Sequence, residues 1–124
     1  MEASTAVESL SALAHPGRLA VFRLLVRAGS TGLPAGEVAR RLGVLPNTLS
    51  ANLTILGHAR LVQSRRDGRS IIYTADYGRM ALLLGFLLED CCNGSPEICA
   101  PLAVIANRAA CCVPAFGSAA TEVA

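Results

Sequence analysis

The residues most able to do chemistry are five cysteines in the last third of the chain: Cys91, Cys92, Cys99, Cys111 and Cys112. An odd number, in two adjacent pairs and a single, is a poor disulfide framework. The start, Met1-Glu2-Ala3-Ser4, lacks the basic opening and apolar core of a secretory leader. The expectation is a cytoplasmic chain with reduced thiols. Thiolates are soft ligands and select soft ions. The two histidines, His15 and His58, stand far away in sequence, and the carboxylates near the first pair are Glu89, Asp90 and Glu97. Three thiols without an imidazole suit a three-coordinate pyramidal ion, such as arsenite or antimonite, better than tetrahedral zinc. Cys91, Cys92 and Cys99 are the candidate ligands. Side chains at adjacent helix positions diverge by about 100°, so both can face one ion only where the helix unwinds. Asn93-Gly94-Ser95-Pro96 supplies such a stop, and Cys99 lies within a chain reach of about 25 Å of Cys92. The alternative for the first pair is burial as small hydrophobes. Cys111 and Cys112 stay open among a second site, a ligand for the first, and no role.

The second chemistry is electrostatic. All cationic side chains are arginines, and seven of them (40, 41, 60, 65, 66, 69 and 79) fall within residues 36–79. Against Glu37, Asp67 and Asp76 that segment carries +4, whereas residues 80–124 carry −3. A basic middle beside an acidic end points to phosphate contact in one region and not in the other.

The elements that would position these groups are mostly helical. The 124 residues are 52% hydrophobic, 4% aromatic and 16% charged, which favours one helix-rich domain over a β-sandwich. So little charge on a small chain implies an apolar patch covered by a partner subunit. No apolar run is long enough to span a membrane. Thr5-Ala6-Val7-Glu8 has the form of a capping box, followed by Val7, Leu10, Leu13 and Ala14 at helical spacing. Pro16 can open a second helix with Leu19, Phe22, Leu25 and Val26 inward and Gly29 as its cap. Pro34 opens a third, Ala35–Leu42, with Val38 and Leu42 inward, and Gly43 ends it.

A fourth helix starts at Pro46-Asn47 and buries Leu49, Leu53 and Leu56, so Asn47, Ala51, Thr54 and His58 face the other way with Ser50 on the flank. Two helices joined by Gly43-Val44-Leu45 give helix-turn-helix geometry. Residues 61–64 and 70–74 are β-prone and surround Arg65-Arg66-Asp67-Gly68-Arg69, a hairpin with a basic tip. Residues 77–92 read as a helix apolar nearly all round, buried on most sides, and 98–108 as one more helix. The fold class is mainly α with a β-hairpin wing (α+β): a winged helix-turn-helix. Residues 1–92 form the DNA-binding and dimerisation domain, and 93–124 an extension that completes the cysteine site.

The stretches Ala12-Leu13-Ala14-His15-Pro16-Gly17-Arg18-Leu19, Glu37-Val38-Ala39-Arg40-Arg41-Leu42-Gly43-Val44, 47–56, Ala59-Arg60-Leu61-Val62 and 65–73 together resemble the ArsR/SmtB family of metal-responsive repressors. Two positions depart from the family pattern: Asn52, where His is common, and Arg60, where Gly is common. The resemblance implies a homodimer whose first and last helices pair, placing two recognition helices in successive major grooves of a palindromic operator in double-stranded DNA. It further implies that Asn47, Thr48 and Ser50 reach base edges, with Asn52 and Thr54 in the same DNA-binding set. Arg66 and Arg69 would hold phosphates or the minor groove.

The family's third-helix Glu-Leu-Cys-x-Cys string and its last-helix Asp/His zinc site have no counterpart here. Cys91, Cys92 and Cys99 instead resemble the variants that bind trivalent arsenic near the C-terminus. The resemblance thus implies an arsenite-responsive repressor, with As(III) as inducer, Sb(III) or methylated As(III) in the same class, and no organic cofactor. A thiol-oxidation sensor on the same DNA-binding frame is the nearest alternative, although Glu89 and Asp90 would raise a neighbouring thiol pKa. A thiol enzyme such as an arsenate reductase needs an anion loop ending in Arg, and no cysteine here is closely followed by one. Without a C-x-x-C pair, a zinc-stabilised interaction module is disfavoured.

Overall fold

Proline and glycine punctuate the chain at helix ends. Pro16 and Pro46 open helices, where a missing N–H removes no intrahelical bond. The structure, a computed structural model, describes residues 1–88 together with Pro101 and Val104. The chain divides into two compact units, Met1–Phe86 and Leu87–Ala124. The element order is α1 (Ala3–Leu13), α2 (Pro16–Ala28), β1 (Leu33–Pro34), α3 (Ala35–Leu42), α4 (Pro46–His58), β2 (Val62–Asp67), β3 (Ser70–Ala75) and α5 (Tyr77–Leu88). The expected continuation of α5 to Cys92, and a helix over 98–108, lie outside the described residues. No helix among the described residues is long and apolar enough to cross a membrane.

The core is built where α2, α3 and α4 meet the base of the hairpin. Val21, Phe22 and Leu25 pack with Val38, Ala39, Leu49, Leu53 and Leu56, closed by Leu61, Val62 and Ala75. One expected face is turned. α1 buries Ala6, Ser9 and Ala12 and leaves Val7 and Leu10 exposed. Small residues let a helix approach its neighbours closely, so the large apolar ones face outward. In α2 the expected Phe22 and Leu25 are buried and Val26 packs on the core; Val21 joins them, and Leu19 alone of the expected stripe is exposed. The capping box does not form: α1 starts at Ala3, three residues early, with Glu2 at its cap and no side-chain bond there. α5 also departs from expectation, because Leu83 is its buried residue whereas Leu82, Leu84, Leu87 and Leu88 are exposed in the single chain.

Both ends of the helix pair α3–α4 close in the same way. Gly43 N–H bonds to Arg40 O and Val44 N–H to Ala39 O, a Schellman motif with Gly43 in the left-handed region (φ 65°). At the end of α4, Arg60 N–H bonds to Gly57 O and Leu61 N–H to Leu56 O. Here the left-handed residue is Arg60 (φ 62°), the one non-glycine with positive φ among the described residues. Replacing it with glycine relieves the Cβ clash at some entropic cost. Arg60→Gly should therefore stabilise the fold by up to about 1 kcal/mol in urea unfolding at fixed protein concentration.

The hairpin belongs to a three-stranded antiparallel sheet of order β1-β3-β2. The pairing of Leu33 and Pro34 with Tyr73 and Ile72 was not expected from sequence. Asp67 pairs with Ser70, so the turn residues are Gly68 and Arg69 rather than Asp67-Gly68. Positive φ at Gly68 alone (63°) is the type II′ sign pattern, which matches strand twist.

Asp76 then starts α5: its Oδ1 accepts Arg79 N–H at 2.9 Å and its carbonyl accepts Met80 N–H at 3.0 Å. Partial burial pushes the Asp76 carboxyl up, but hydrogen bonds from the Gln63 side chain and the Arg79 N–H outweigh it and hold it below its usual range. A depressed carboxyl contributes stability above its unfolded value, and that contribution fades as pH falls through the folded value. Asp76→Ala should cost about 0.5–2 kcal/mol at pH 7. The difference between the two proteins should shrink below roughly pH 4, as urea midpoints at both pH values will show.

Candidate nucleic-acid interface

α4 is held from behind by Leu49, Leu53 and Leu56, each 5% exposed or less. Burial on that stripe leaves the opposite face outward, and Asn47, Thr48, Ser50, Ala51, Thr54 and His58 are all exposed. Asn47, Thr48 and Ser50 present an amide and two hydroxyls within the first turns of the helix, groups that can both donate to and accept from base edges. Thr54 is also outward, but its Oγ1 donates to Ser50 O at 2.9 Å, so it faces a ligand chiefly as an acceptor.

Asn52 belongs elsewhere. It is 6% exposed and buried on the inner flank of α4. A Cβ placed on Gly17 would lie 3.1 Å from its Nδ2. This is the start of α2, where His15 Nδ1 accepts the N–H groups of Gly17 (3.1 Å) and Arg18 (3.4 Å). Five residues past Asn47, it is turned by about 140° from it. The geometry removes Asn52 from the DNA-facing set.

The arginines divide by partner. Arg40 and Arg41 both bond Glu37 on α3, and these bonds, Arg40 first, bring the Glu37 carboxyl down to about 2. Arg65 donates from Nη1 to Ser30 O (3.2 Å) and from Nη2 to Thr31 O (2.8 Å), tying the hairpin to the turn before β1. That long-range anchor had no signature in the sequence, where Arg65 is one of three tip arginines. Arg66 and Arg69 are exposed and, among the described residues, form no salt bridge or side-chain hydrogen bond. They are the wing's free cations. Cys91, Cys92, Cys99, Cys111 and Cys112 lie outside the described residues.

An exposed polar helix face beside a hairpin with free arginines, on a three-helix core, defines a winged helix-turn-helix. Comparison with known proteins agrees. A family model described as a helix-turn-helix domain matches residues 13–65. The nodulation protein NolR of Rhizobium meliloti is 33% identical over 88 residues, spanning 71% of this chain and 70% of that protein. The HTH-type transcriptional regulator YgaV of Escherichia coli K12 is 35% identical over 72 residues, 58% of this chain and 71% of that one. Among solved structures, an ArsR-like transcriptional regulator from Rhodococcus sp. RHA1 aligns with TM-score 0.64 and 26% identity, covering 86% of this chain and 93% of that one. A homodimeric winged helix-turn-helix DNA-binding domain from Mycobacterium bovis aligns with TM-score 0.58 and 26% identity, covering 70% and 81%. The chain belongs to the ArsR-like family of winged helix-turn-helix transcriptional regulators.

Two asparagines on one helix separate reading from folding. Asn47→Ala should weaken binding to a selected operator by about 1–3 kcal/mol and leave random DNA nearly unaffected, as read by fluorescence anisotropy. Asn52→Ala should lower the urea midpoint and leave sequence preference alone. Relaxed preference at undiminished stability would contradict the inward placement of Asn52.

Proposed function

We propose that this regulator is a homodimeric repressor that reads a palindromic operator with α4 and its wing and releases it when As(III) joins Cys91, Cys92 and Cys99. The observation that carries the DNA half is the outward set Asn47, Thr48 and Ser50 beside Arg66 and Arg69, which are exposed and without an ion-pair partner among the described residues. Base edges are met by the amide and hydroxyls, and phosphates by the guanidiniums, which position without specifying. Dimerisation is supported by the large apolar side chains that α1 and α5 leave outside, Val7, Leu10, Leu82 and Leu84. The homodimeric state of the Mycobacterium bovis domain points the same way.

The sensing half rests on residue chemistry. Three soft thiols stand within nine positions, the first of them three residues past Leu88, the last described residue of α5. Antimonite and methylated arsenite offer the same three-coordinate, thiophilic chemistry. Drawing the thiols together at the end of α5 would shift a dimer helix and so the spacing of the two α4 helices. For release to follow, As(III) must bind the non-binding arrangement more tightly.

Anisotropy titrations of an operator duplex with arsenite, antimonite, zinc and peroxide test this. Arsenite should weaken wild-type binding roughly 5- to 150-fold. Serine at Cys91, Cys92 or Cys99 should leave operator binding intact and abolish release, and serine at both Cys111 and Cys112 should leave release unchanged. Arg69→Ala should weaken operator and random DNA alike and flatten the salt dependence. Release by peroxide but not by arsenite would replace metalloid capture with thiol oxidation. A stable monomer in light scattering at micromolar concentration would remove the two-half-site arrangement.

A further inference from the structure

Leu45 occupies a position where local physics asks for a different residue. It is the N-cap of α4, with extended backbone (φ −70°, ψ 146°), and its carbonyl accepts the first helical bond from Leu49 N–H at 3.0 Å. Ser, Thr, Asp and Asn are favoured there because a side-chain oxygen satisfies an orphan N–H of the first turn, and leucine is among the poorest choices. Accordingly, no side chain caps α4.

Packing does not offset the lost cap. Leu45 is 73% exposed, the most of any large hydrophobic among the described residues. The apolar contact of the turn is made instead by Val44, which packs against the core one position earlier, with Leu49 at the fourth helical position in the manner of a hydrophobic staple. Leu45 thus forgoes both a hydrogen bond and burial in the free protein. A single exposed leucine is unremarkable, but one that displaces a cap at the head of the reading helix is not.

Its neighbours suggest what covers it. Asn47 and Thr48, two and three residues on, are exposed polar groups at the start of the same helix. The major groove presents one apolar group to a protein, the C5-methyl of thymine. We propose that Leu45 is a specificity-determining residue, its side chain packing on the C5-methyl of one thymine in each half-site beside the hydrogen-bonding set. The inference rests on α4 being the reading helix and adds to it the base that Leu45 selects.

Duplexes recovered by the full-length protein from a random-sequence library supply the probe. Each thymine of the recovered site is then replaced singly by deoxyuridine, which removes the methyl and keeps the pairing edge. Wild type should lose about three- to fivefold in affinity for each half-site at one thymine position and little at the others. Leu45→Ser should bind the thymine duplex about as weakly as wild type binds the uracil one and no longer distinguish them. By restoring a cap, the same variant should melt roughly 2–8 °C higher, which separates lost recognition from lost folding. Equal binding of wild type to all uracil-substituted duplexes overturns the proposal, as does a Leu45→Ser protein that still prefers thymine. Failure of wild type to enrich any sequence would bring down α4 as the reading helix, and this inference with it, before any substitution is made.

Discussion

Burial of Leu49, Leu53 and Leu56 against α2, α3 and the base of the hairpin is the interaction on which the other features of the surface depend. Each fully buried leucine contributes about 1.5–3 kcal/mol, and their spacing of four and three residues defines a single stripe. A helix held along one stripe has its rotation about its own axis fixed. That rotation sends Asn47, Thr48 and Ser50 outward and Asn52 inward. The two Schellman turns at Gly43 and Arg60 end α3 and α4, so the entry from α3 and the exit to the hairpin are both defined.

Electrostatics is divided rather than spread. Of the seven arginines between residues 36 and 79, Arg40 and Arg41 are occupied by Glu37, and Arg65 is spent on two backbone carbonyls. Exposed pairs of this kind contribute little stability. Their consequence is positional: the bonds to Ser30 and Thr31 tie the wing to the turn before β1, and Arg66 and Arg69 toward its tip stay unpaired among the described residues. A positive net charge over a segment therefore overstates what is available to phosphate, and the partner of each guanidinium decides what it can do.

The first helix shows a complementary division of apolar residues. Its small side chains, Ala6, Ser9 and Ala12, face its own chain, and the larger Val7 and Leu10 do not. Ser9 Oγ is buried without a hydrogen-bond partner among the described residues, a cost accepted where a larger residue would push α1 away from its neighbours. α5 also leaves large side chains outside, with Leu82 and Leu84 exposed and Leu83 inward. Burial within one chain thus accounts for only part of the hydrophobicity of these two helices.

Elements that depend on local rules are legible in the chain alone. Pro16, Pro46, Gly43 and the leucine period of α4 placed three helices within a residue or so of their observed bounds, because those signals act through backbone sterics and a fixed 3.6-residue repeat. The wing was legible for the same reason, as Gly68 between β-prone segments specifies a tight turn. Features set by contacts distant in sequence are not. Pairing of Leu33 and Pro34 with β3, the grip of Arg65 on residues 30 and 31, and the inward turn of Asn52 toward Gly17 all join segments that local periodicity cannot connect. The inward face of α1 differs from the one its spacing indicates, because spacing shows that an apolar stripe exists, whereas which side of the helix meets the core is settled by how closely the neighbouring helices approach.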